Sequence, residues 1–314
     1  MGGLRVIGDI GGTNARFALA ENGAYRNLLH VEVGQYASLH DALTAYIDGL
    51  TPSLRPSEAA LAIAGPVFGD SIALTNHGWS FSISELKQRL QLSSLAVMND
   101  FAATALSVPY LPASDICLIG PECTETRGPV GVIGPGTGLG VSSLVPDGEK
   151  WVLVPGEGGH VTLPASTKEE AAIIEVLRAR FGHVSGERVL SGAGLVNLYE
   201  ALCSMAGIAA APMTPAEVTN HAIGKTDAIC VDAFAHFCRF LGTVAGDLAL
   251  TIGATGGIYI AGGILLRFKE AFAASPFRER FEDKGRFSGL LRGIPTRLIL
   301  DESPALSGLA NSTF

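Results

Sequence analysis

The sequence predicts a two-lobed α/β protein, on the basis of its length, its alternating strand and helix patterns, and a repeated strand–glycine–strand unit. The chain has 314 residues, and compact domains usually have about 100–200, so two lobes are expected. Hydrophobic residues make up 47% and charged residues 17% of the composition, which is enough to build substantial cores. The repeated unit occurs near residue 10 and again near residue 135, which indicates two similar halves.

Apolar periodicity and turn residues predict the elements of the first half. Predicted strands cover Leu4–Ile10, Arg16–Ala20, Ala59–Ala64 and Leu95–Met98. Predicted helices cover Leu39–Ile47, a segment from the Ser82 cap to about Leu90, and Ala102–Val108. The last helix should stop at Pro109.

After Pro109 the pattern of strands and helices restarts. Predicted strands cover Val130–Ile133, Val141–Leu144 and Gly257–Ala261. Capping boxes at Ser166 with Glu169 and at Thr214 with Glu217 predict two helix starts, the first helix closing at Gly182. A long buried helix is predicted over Asp227–Ile252, and Gly262-Gly263 should begin the turn into another helix.

Composition argues against several classes of function. The formal charge is -8 and no basic run is visible, so nucleic-acid binding is not expected. The most apolar stretch, Leu241–Ile264, is interrupted by Asp247 and seven glycines, so we predict a buried helix rather than a membrane span. The five cysteines contain no CxxC pair, which favours reduced, buried thiols. The start of the sequence lacks the apolar region of a signal peptide, so a cytoplasmic location is expected.

The first informative motif is a glycine turn after the first strand, Asp9-Ile10-Gly11-Gly12-Thr13-Asn14. We expect the two glycines to allow a tight hairpin whose backbone N–H groups face a phosphate, with the Thr13 hydroxyl as a further donor. Asp9 stands where a carboxylate could hold Mg²⁺, directly or through water. The alternative is an ordinary hairpin turn.

A second glycine turn follows the strand at Val130–Ile133, with the sequence Gly134-Pro135-Gly136-Thr137-Gly138-Leu139-Gly140. It does not match GxGxxG, because Leu139 replaces the third glycine and a strand follows, so a dinucleotide site of the Rossmann type is disfavoured. Two strands around this tip suit a polyphosphate. The Gly224-Lys225-Thr226 sequence is not a P-loop, because Thr219 replaces the required glycine, and we interpret it as a helix–helix connection.

Polar residues in three loops complete the candidate site. Asn99 and Asp100 end a predicted buried strand, where α/β sheets usually bind ligands, and Asp100 could accept a hydroxyl proton. Its equally weighted alternative role is the N-cap of the next helix. Glu157 and His160, in a glycine-rich loop, suit a polyhydroxylated ligand better than a metal, and Glu187 alone is more typical of a capping or ion-paired residue.

Together these motifs resemble the bacterial ATP-dependent glucokinases, in the hexokinase branch of the actin-like ATPase superfamily. The motifs cover about residues 5–308 and are DIGGTNAR (Asp9–Arg16), LTNHGWSFS (Leu74–Ser82), NDFAATALSV (Asn99–Val108), GPGTGLGV (Gly134–Val141), PGEGGHV (Pro155–Val161), GERVLSGAGLVNLYEAL (Gly186–Leu202) and IAGGI (Ile260–Ile264). The resemblance implies an α/β protein of two actin-like, ribonuclease H-like lobes, with mixed central sheets flanked by helices. The resemblance assigns residues 1–109 plus 301–314 to a small lobe and residues 110–300 to a large lobe. Sugar and ATP would meet in the cleft between the lobes.

The resemblance also implies a role for each matching residue. Asp100 would be the catalytic base for phosphorylation of the glucose 6-hydroxyl, the first step of glycolysis. The sugar would be held by Asn99, Asp100, Glu157, His160 and Glu187. Mg²⁺ and ATP would be held by Asp9, Gly11, Gly12, Thr13, Thr137, Gly138, Gly262 and Gly263. A cytoplasmic homodimer without nucleic-acid or membrane partners is expected.

Three other functions fit parts of the pattern. A sugar-sensing transcriptional regulator would need a DNA-binding element, for which no room is seen before the first strand. A filament-forming actin-like ATPase would keep the glycine turns but has no need of Glu157 and His160. A kinase for another small metabolite remains the third alternative.

Overall fold

The computed structural model describes residues 3–74, 78–124 and 126–312. Residues 75–77 of the LTNHGWSFS motif therefore lie outside the described residues. The strands are β1 (Arg5–Ile10), β2 (Asn14–Glu21), β3 (Ala24–Glu32), β4 (Glu58–Ile63), β5 (Ser71–Ala73), β6 (Ser80–Ser82), β7 (Ser94–Asn99), β8 (Ile116–Leu118), β9 (Val130–Pro135), β10 (Leu139–Asp147), β11 (Lys150–Gly156), β12 (Gly257–Ile260) and β13 (Thr296–Ile299).

Helices occupy much of the remaining chain. They are α1 (Leu39–Asp48), α2 (Ile83–Arg89), α3 (Asp100–Ser107), α4 (Lys168–Phe181), α5 (Gly192–Met205), α6 (Pro215–Gly224), α7 (Ala228–Ile252), α8 (Gly263–Leu266), α9 (Lys269–Ala273), α10 (Phe277–Glu282), α11 (Ser288–Arg292) and α12 (Pro304–Asn311). The chain forms two compact units, one of Met1–Pro112 with Asp301–Phe314 and one of Ala113–Leu300. The first boundary thus follows Pro112 rather than residue 109.

The first unit is built on a five-stranded sheet in the order β3-β2-β1-β4-β7. β1 pairs antiparallel with β2 and parallel with β4, and β4 pairs parallel with β7. Phe17, Leu61 and Leu43 are fully buried in its core. α12 packs closely on α3, because Gly308 lies directly against the carbonyl of Ala103, where a Cβ atom would not fit.

The second unit repeats this topology with one additional strand. Its six-stranded sheet has the order β11-β10-β9-β12-β13-β8. As in the first unit, an antiparallel hairpin is followed by two parallel neighbours, here β12 and β13. The two units therefore share one strand arrangement, as the repeated strand–glycine–strand pattern predicts.

Helix α7 forms the centre of the second core. It is long and apolar enough to cross a membrane. However, 67% of its most apolar 18-residue stretch is buried inside the protein, as in the core helix of a packed domain. Cβ atoms added at Gly242 or Gly246 would collide with backbone atoms of α10, so these glycines allow the two helices to approach closely. The prediction of a buried helix here is confirmed.

The predicted start of α4 is wrong by one residue. The capping box is formed by Thr167 and Glu170 instead of Ser166 and Glu169. Both pairs satisfy the sequence pattern, but the fully buried Glu170 also pairs with Arg280 of α10, with an Oε1–Nη1 distance of 2.9 Å. This long-range ion pair decides between the two patterns.

Cysteine burial follows the prediction only in part. All five cysteines are free; Cys203, Cys230 and Cys238 are buried, whereas Cys117 and Cys123 are half-buried. Burial raises the pKa of the Cys238 thiol to about 12. The Cys238 thiol is therefore protonated at neutral pH and behaves as an apolar side chain.

Candidate functional site

The first glycine turn joins β1 to β2 at the carboxyl end of β1. The Gly11 N–H donates to the Asn14 carbonyl at 3.0 Å, so in this structure it is used within its own turn. A Cβ atom at Gly11 would lie 3.2 Å from the same carbonyl oxygen. Within the described residues, the N–H groups of Gly12 and Thr13 have no acceptor, which leaves these two groups as the donors of the turn.

Asp9 lies one residue before the end of β1, directly opposite Arg16 of β2. The Asp9 Oδ2 atom is 3.5 Å from Nη1 of Arg16, and 23% of the Asp9 side chain is exposed. Burial raises the pKa of the Asp9 carboxyl, and the Arg16 guanidinium opposes this rise. Asp9 is thus a carboxylate whose loss of hydration on folding is only partly offset by its ion pair with Arg16.

Asn99 and Asp100 lie where β7 passes into α3. β7 is the edge strand of its sheet and is mostly half-buried, so the expectation of a buried strand is wrong. The N-cap of α3 is Asn99, not Asp100: its Oδ1 accepts the N–H groups of Phe101 and Ala102. The Asn99 Nδ2 donates to the Gly65 carbonyl at 3.1 Å. Asp100 is the first helical residue and accepts the Phe101 N–H at 2.9 Å.

Strand register brings Asp100 and the first glycine turn to one edge of the sheet. Ile10 pairs with Ile63 of β4, and Ile63 pairs with Asn99 of β7. These strands are parallel, so their carboxyl ends face the same way. Two strand spacings separate the chain at Ile10 from the chain at Asn99, a distance of roughly 10 Å. A phosphate bound at the turn would therefore lie close to Asp100.

The second glycine turn, residues 136–138, joins β9 to β10 in an antiparallel hairpin. It is closed by a hydrogen bond of 2.8 Å from the Gly136 N–H to the Gly138 carbonyl. Thr137 lies exposed at its tip. Gly262 has a φ of 105° and abuts the Pro135 carbonyl, so a side chain there is excluded on both counts. Gly262 and Gly263 therefore lie beside this turn.

Glu157 and His160 lie in the loop that follows β11. Their side chains are 47% and 59% exposed, and Oε2 of Glu157 is 4.0 Å from Nε2 of His160. In the part of the chain that the structure describes, no group of three or more His, Cys, Asp or Glu side chains is arranged to hold a metal. Both side chains are therefore open to hydrogen bonding with a ligand.

Glu187 lies in a short turn, Gly186–Arg188, that packs beside the Glu157 loop through a hydrogen bond from the Gly186 N–H to the Val161 carbonyl. Its Oε2 atom accepts the Leu139 N–H at 2.9 Å. The carboxylate therefore contacts the residue that follows the second glycine turn, while the backbone of the neighbouring Gly186 contacts the predicted sugar loop. This bond to a strand residue differs from both alternatives weighed for Glu187, a helix cap and an ion pair.

Sequence reasoning missed three residues of this site. Arg16 pairs with Asp9, and the two-strand hairpin pattern could have indicated it as the cross-strand neighbour. Gly65, with a φ of 141°, presents its carbonyl to Asn99. Gly192 donates its N–H to the Gly136 carbonyl at 2.9 Å. The last two contacts join distant segments and have no local sequence signal.

The comparisons with known proteins agree with one another. A protein-family model described as Glucokinase matches residues 6–313. This chain belongs to the glucokinase family. A curated glucokinase from Nitrobacter hamburgensis is 67% identical over 99% of this chain and 97% of the relative, and one from Chromobacterium violaceum is 46% identical over 98% and 88%.

A solved structure titled as a glucokinase from an Antarctic psychrotroph has a TM-score of 0.90 and 36% identity, covering 99% of this chain and all of the other. A glucokinase of the ROK family from Streptomyces griseus, in complex with glucose and AMPPNP, shares the fold with a TM-score of 0.64 and 20% identity. The predicted family, the two-lobed α/β fold class and the glucokinase activity, ATP-dependent phosphorylation of glucose, are confirmed.

Proposed function

We propose that this glucokinase transfers the γ-phosphoryl group of MgATP to the 6-hydroxyl of glucose, with Asp100 as the catalytic base. The observation that carries this proposal is that Asp100 and the first glycine turn lie at the same end of one sheet. They follow the carboxyl ends of β7 and β1, which are two strand spacings, roughly 10 Å, apart. That separation leaves room for a sugar hydroxyl and a terminal phosphate between them. The products are glucose 6-phosphate and ADP.

Asp100 suits the role of base because it begins a helix at the end of a strand. Its carboxylate is half-buried at the carboxyl edge of the sheet, where it can accept the proton of a hydroxyl that attacks phosphorus. Phosphoryl transfer depends mostly on positioning and charge stabilisation, so the base contributes a part of the rate and the phosphate-binding groups contribute the rest.

For the nucleotide, we propose contacts to the two glycine turns and to Gly262 and Gly263. The free N–H groups of Gly12 and Thr13 support a phosphate contact in the first unit, whereas Gly11 would contribute shape rather than a donor. In the second unit, Thr137 and Gly138 occupy the equivalent position at the tip of the repeated hairpin.

Asp9 is our candidate ligand for Mg²⁺, directly or through water. A single carboxylate fits this ion, because Mg²⁺ usually keeps several waters and binds one or two carboxylates together with substrate phosphates. The raised pKa of Asp9 supports the assignment, since a cation would stabilise a carboxylate that burial disfavours. When bound, Mg²⁺ neutralises phosphate charge.

The sugar would be held by Asn99, Asp100, Glu157, His160 and Glu187. Asn99 has both lone pairs of Oδ1 and one hydrogen of Nδ2 in use, so only its second Nδ2 hydrogen is left for a sugar oxygen. Carboxylates that bond hydroxyls reject analogues lacking them, because buried acceptors are then left unpaired. Rates with glucose, mannose, fructose and N-acetylglucosamine measure this selectivity, and equal rates would show that the assignment to glucose is too narrow.

The decisive experiment replaces Asp100 with Asn and measures glucose phosphorylation in a coupled assay with MgATP. We expect kcat to fall by roughly 10²–10⁴-fold, the range for a lost general base, with the melting temperature unchanged. The control is Asp48→Asn, since Asp48 is 62% exposed at the end of α1 and makes only a loose pair with Arg55 at 3.8 Å. Near-normal turnover of a folded Asp100→Asn protein would refute the role of the base.

We also propose a cytoplasmic location, supported by the resemblance to glucokinases and by the acidic composition. A homodimer is proposed on the resemblance alone. Sedimentation of the purified protein measures its oligomeric state. The meeting of sugar and ATP between the two lobes stays a prediction.

A further inference from the structure

The carboxylate of Glu187 is in direct contact with the second glycine turn. Its Oε2 accepts the Leu139 N–H at 2.9 Å, and a Cβ atom added at Gly138 would collide with the same oxygen. Leu139 is the first residue of β10 after the turn and is buried. A charged oxygen of Glu187 thus lies directly against Gly138 and Leu139, and Gly138 is one of the residues that we assign to the nucleotide phosphates.

The segment that follows Glu187 holds the opposite end of the same turn. The Gly192 N–H donates to the Gly136 carbonyl at 2.9 Å. Ser191 links these contacts, because its hydroxyl donates to the Glu187 carbonyl and accepts the Gly194 N–H, both at 2.9 Å. Residues 187–192 therefore hold the turn at both ends.

The second oxygen of the carboxylate remains available. Among the described residues, Oε1 of Glu187 accepts no hydrogen bond, and the side chain is half-buried. A carboxylate can accept about four hydrogen bonds through its two oxygens. One oxygen can therefore bond a sugar hydroxyl while the other keeps the Leu139 N–H.

We propose that Glu187 is a positioning residue for the nucleotide turn, and that it couples glucose binding to nucleotide binding. This inference rests on the proposed function. A sugar hydroxyl on Oε1 fixes the orientation of the carboxylate, which keeps Oε2 on Leu139 and the turn in its binding shape. Glucose then raises the affinity for nucleotide, and reciprocity requires nucleotide to raise the affinity for glucose by the same factor.

The test is calorimetric titration of MgAMPPNP, a non-hydrolysable ATP analogue, into the protein with and without saturating glucose. Without sugar, Glu187→Ala should weaken MgAMPPNP binding roughly 10-fold, the size expected for a lost hydrogen bond to a charged acceptor. The matched control is Glu157→Ala, another proposed sugar ligand, whose carboxylate is 47% exposed and accepts no hydrogen bond among the described residues. It should weaken glucose binding and leave sugar-free MgAMPPNP affinity unchanged.

A conservative variant separates positioning from general damage. In Glu187→Gln the amide oxygen can still accept the Leu139 N–H, so sugar-free MgAMPPNP affinity should stay within about threefold of wild type. In the wild type, glucose should tighten MgAMPPNP binding at least about fivefold, and in Glu187→Ala this gain should disappear.

Equal sugar-free affinities in wild type, Glu187→Ala and Glu157→Ala would overturn the inference while leaving the proposed function intact. Equal losses in Glu187→Gln and Glu187→Ala would also count against it. A wild-type protein that binds no MgAMPPNP would overturn the proposed function, and the inference with it.

Discussion

Replacing Glu170 with Ala removes a buried carboxylate that joins α4 to α10. The side chain is fully buried, and Oε2 accepts the N–H groups of Ser166 at 2.7 Å and Thr167 at 3.2 Å. The same carboxylate pairs with Arg280, whose side chain is only 11% exposed. The substitution therefore leaves a nearly buried guanidinium without its partner, and it also opens the capping box of α4.

The expected loss of stability follows from these contacts. Removing one partner of a buried ion pair costs about 3–5 kcal/mol, and loss of a helix cap costs about 1 kcal/mol. The cap cost is an upper value, because the Thr167 hydroxyl still accepts the backbone N–H of residue 170 in the variant. The two costs also share the same carboxylate and do not simply add. Arg280 also borders a surface cavity of about 180 Å³ with Arg239, Glu279 and Asp283, where water can reach it. We therefore expect the free energy of unfolding to fall by roughly 3–4 kcal/mol.

Thermal unfolding followed by calorimetry measures this loss. For a unit of this size we expect the melting temperature to fall by about 10 °C. The matched control is the neighbouring Glu169→Ala, because Glu169 is 61% exposed and approaches His236 only at 3.6 Å. Its effect should stay within about 0.5 kcal/mol. Melting temperatures of the two variants that agree within about 2 °C would refute the assignment of the cap and the ion pair to Glu170.

Two further substitutions test the first unit. Burial raises the pKa of the Asp9 carboxyl, so Asp9 ionises less readily in the folded state than in the unfolded state. The folded state therefore loses stability as the pH rises from the ordinary pKa of an aspartate through the raised pKa. Asp9→Asn should therefore melt at a higher temperature than wild type at neutral pH, with a difference that shrinks at acidic pH, and a less stable variant at neutral pH would contradict this sign. Gly308→Ala should lower stability by about 1–3 kcal/mol, because the new methyl group would meet the Ala103 carbonyl. The control is Gly289→Ala, because a Cβ atom at Gly289 would meet only open space. Denaturant titrations should show that this variant is as stable as wild type or more stable by up to about 1 kcal/mol. Similar losses of stability in both variants would show that close packing is not the cause.

Much of the fold could be predicted from local pattern. The strand–glycine–strand unit near residue 10 and its repeat near residue 135 correspond to two sheets of the same topology. The long apolar segment after Asp227 is a single buried helix, as its periodicity indicates. The Gly224-Lys225-Thr226 sequence ends α6 with Lys225 in the left-handed conformation, as expected for a helix–helix connection. These features depend on residues close together in the chain.

The candidate site was predicted less completely. Sequence motifs indicated Asp9, Asp100 and the glycine turns, but they did not indicate that the Gly11 N–H is used within its own turn. They also did not separate the roles of Asn99 and Asp100, because either residue can cap a helix. The structure assigns the cap to Asn99, whose amide also reaches the Gly65 carbonyl.

The sequence by itself determined the family, part of the order of strands and helices, and the two glycine turns, because periodicity and glycine content act over a few neighbouring residues. Only the tertiary structure decided between Glu169 and Glu170 and connected Glu187 to the Leu139 N–H. Glu169 and Glu170 are chemically equivalent in the local sequence, and nothing near Glu187 in the sequence indicates its partner. The partner that settles each case, Arg280 for one and Leu139 for the other, lies far away in the chain and is brought close only by packing.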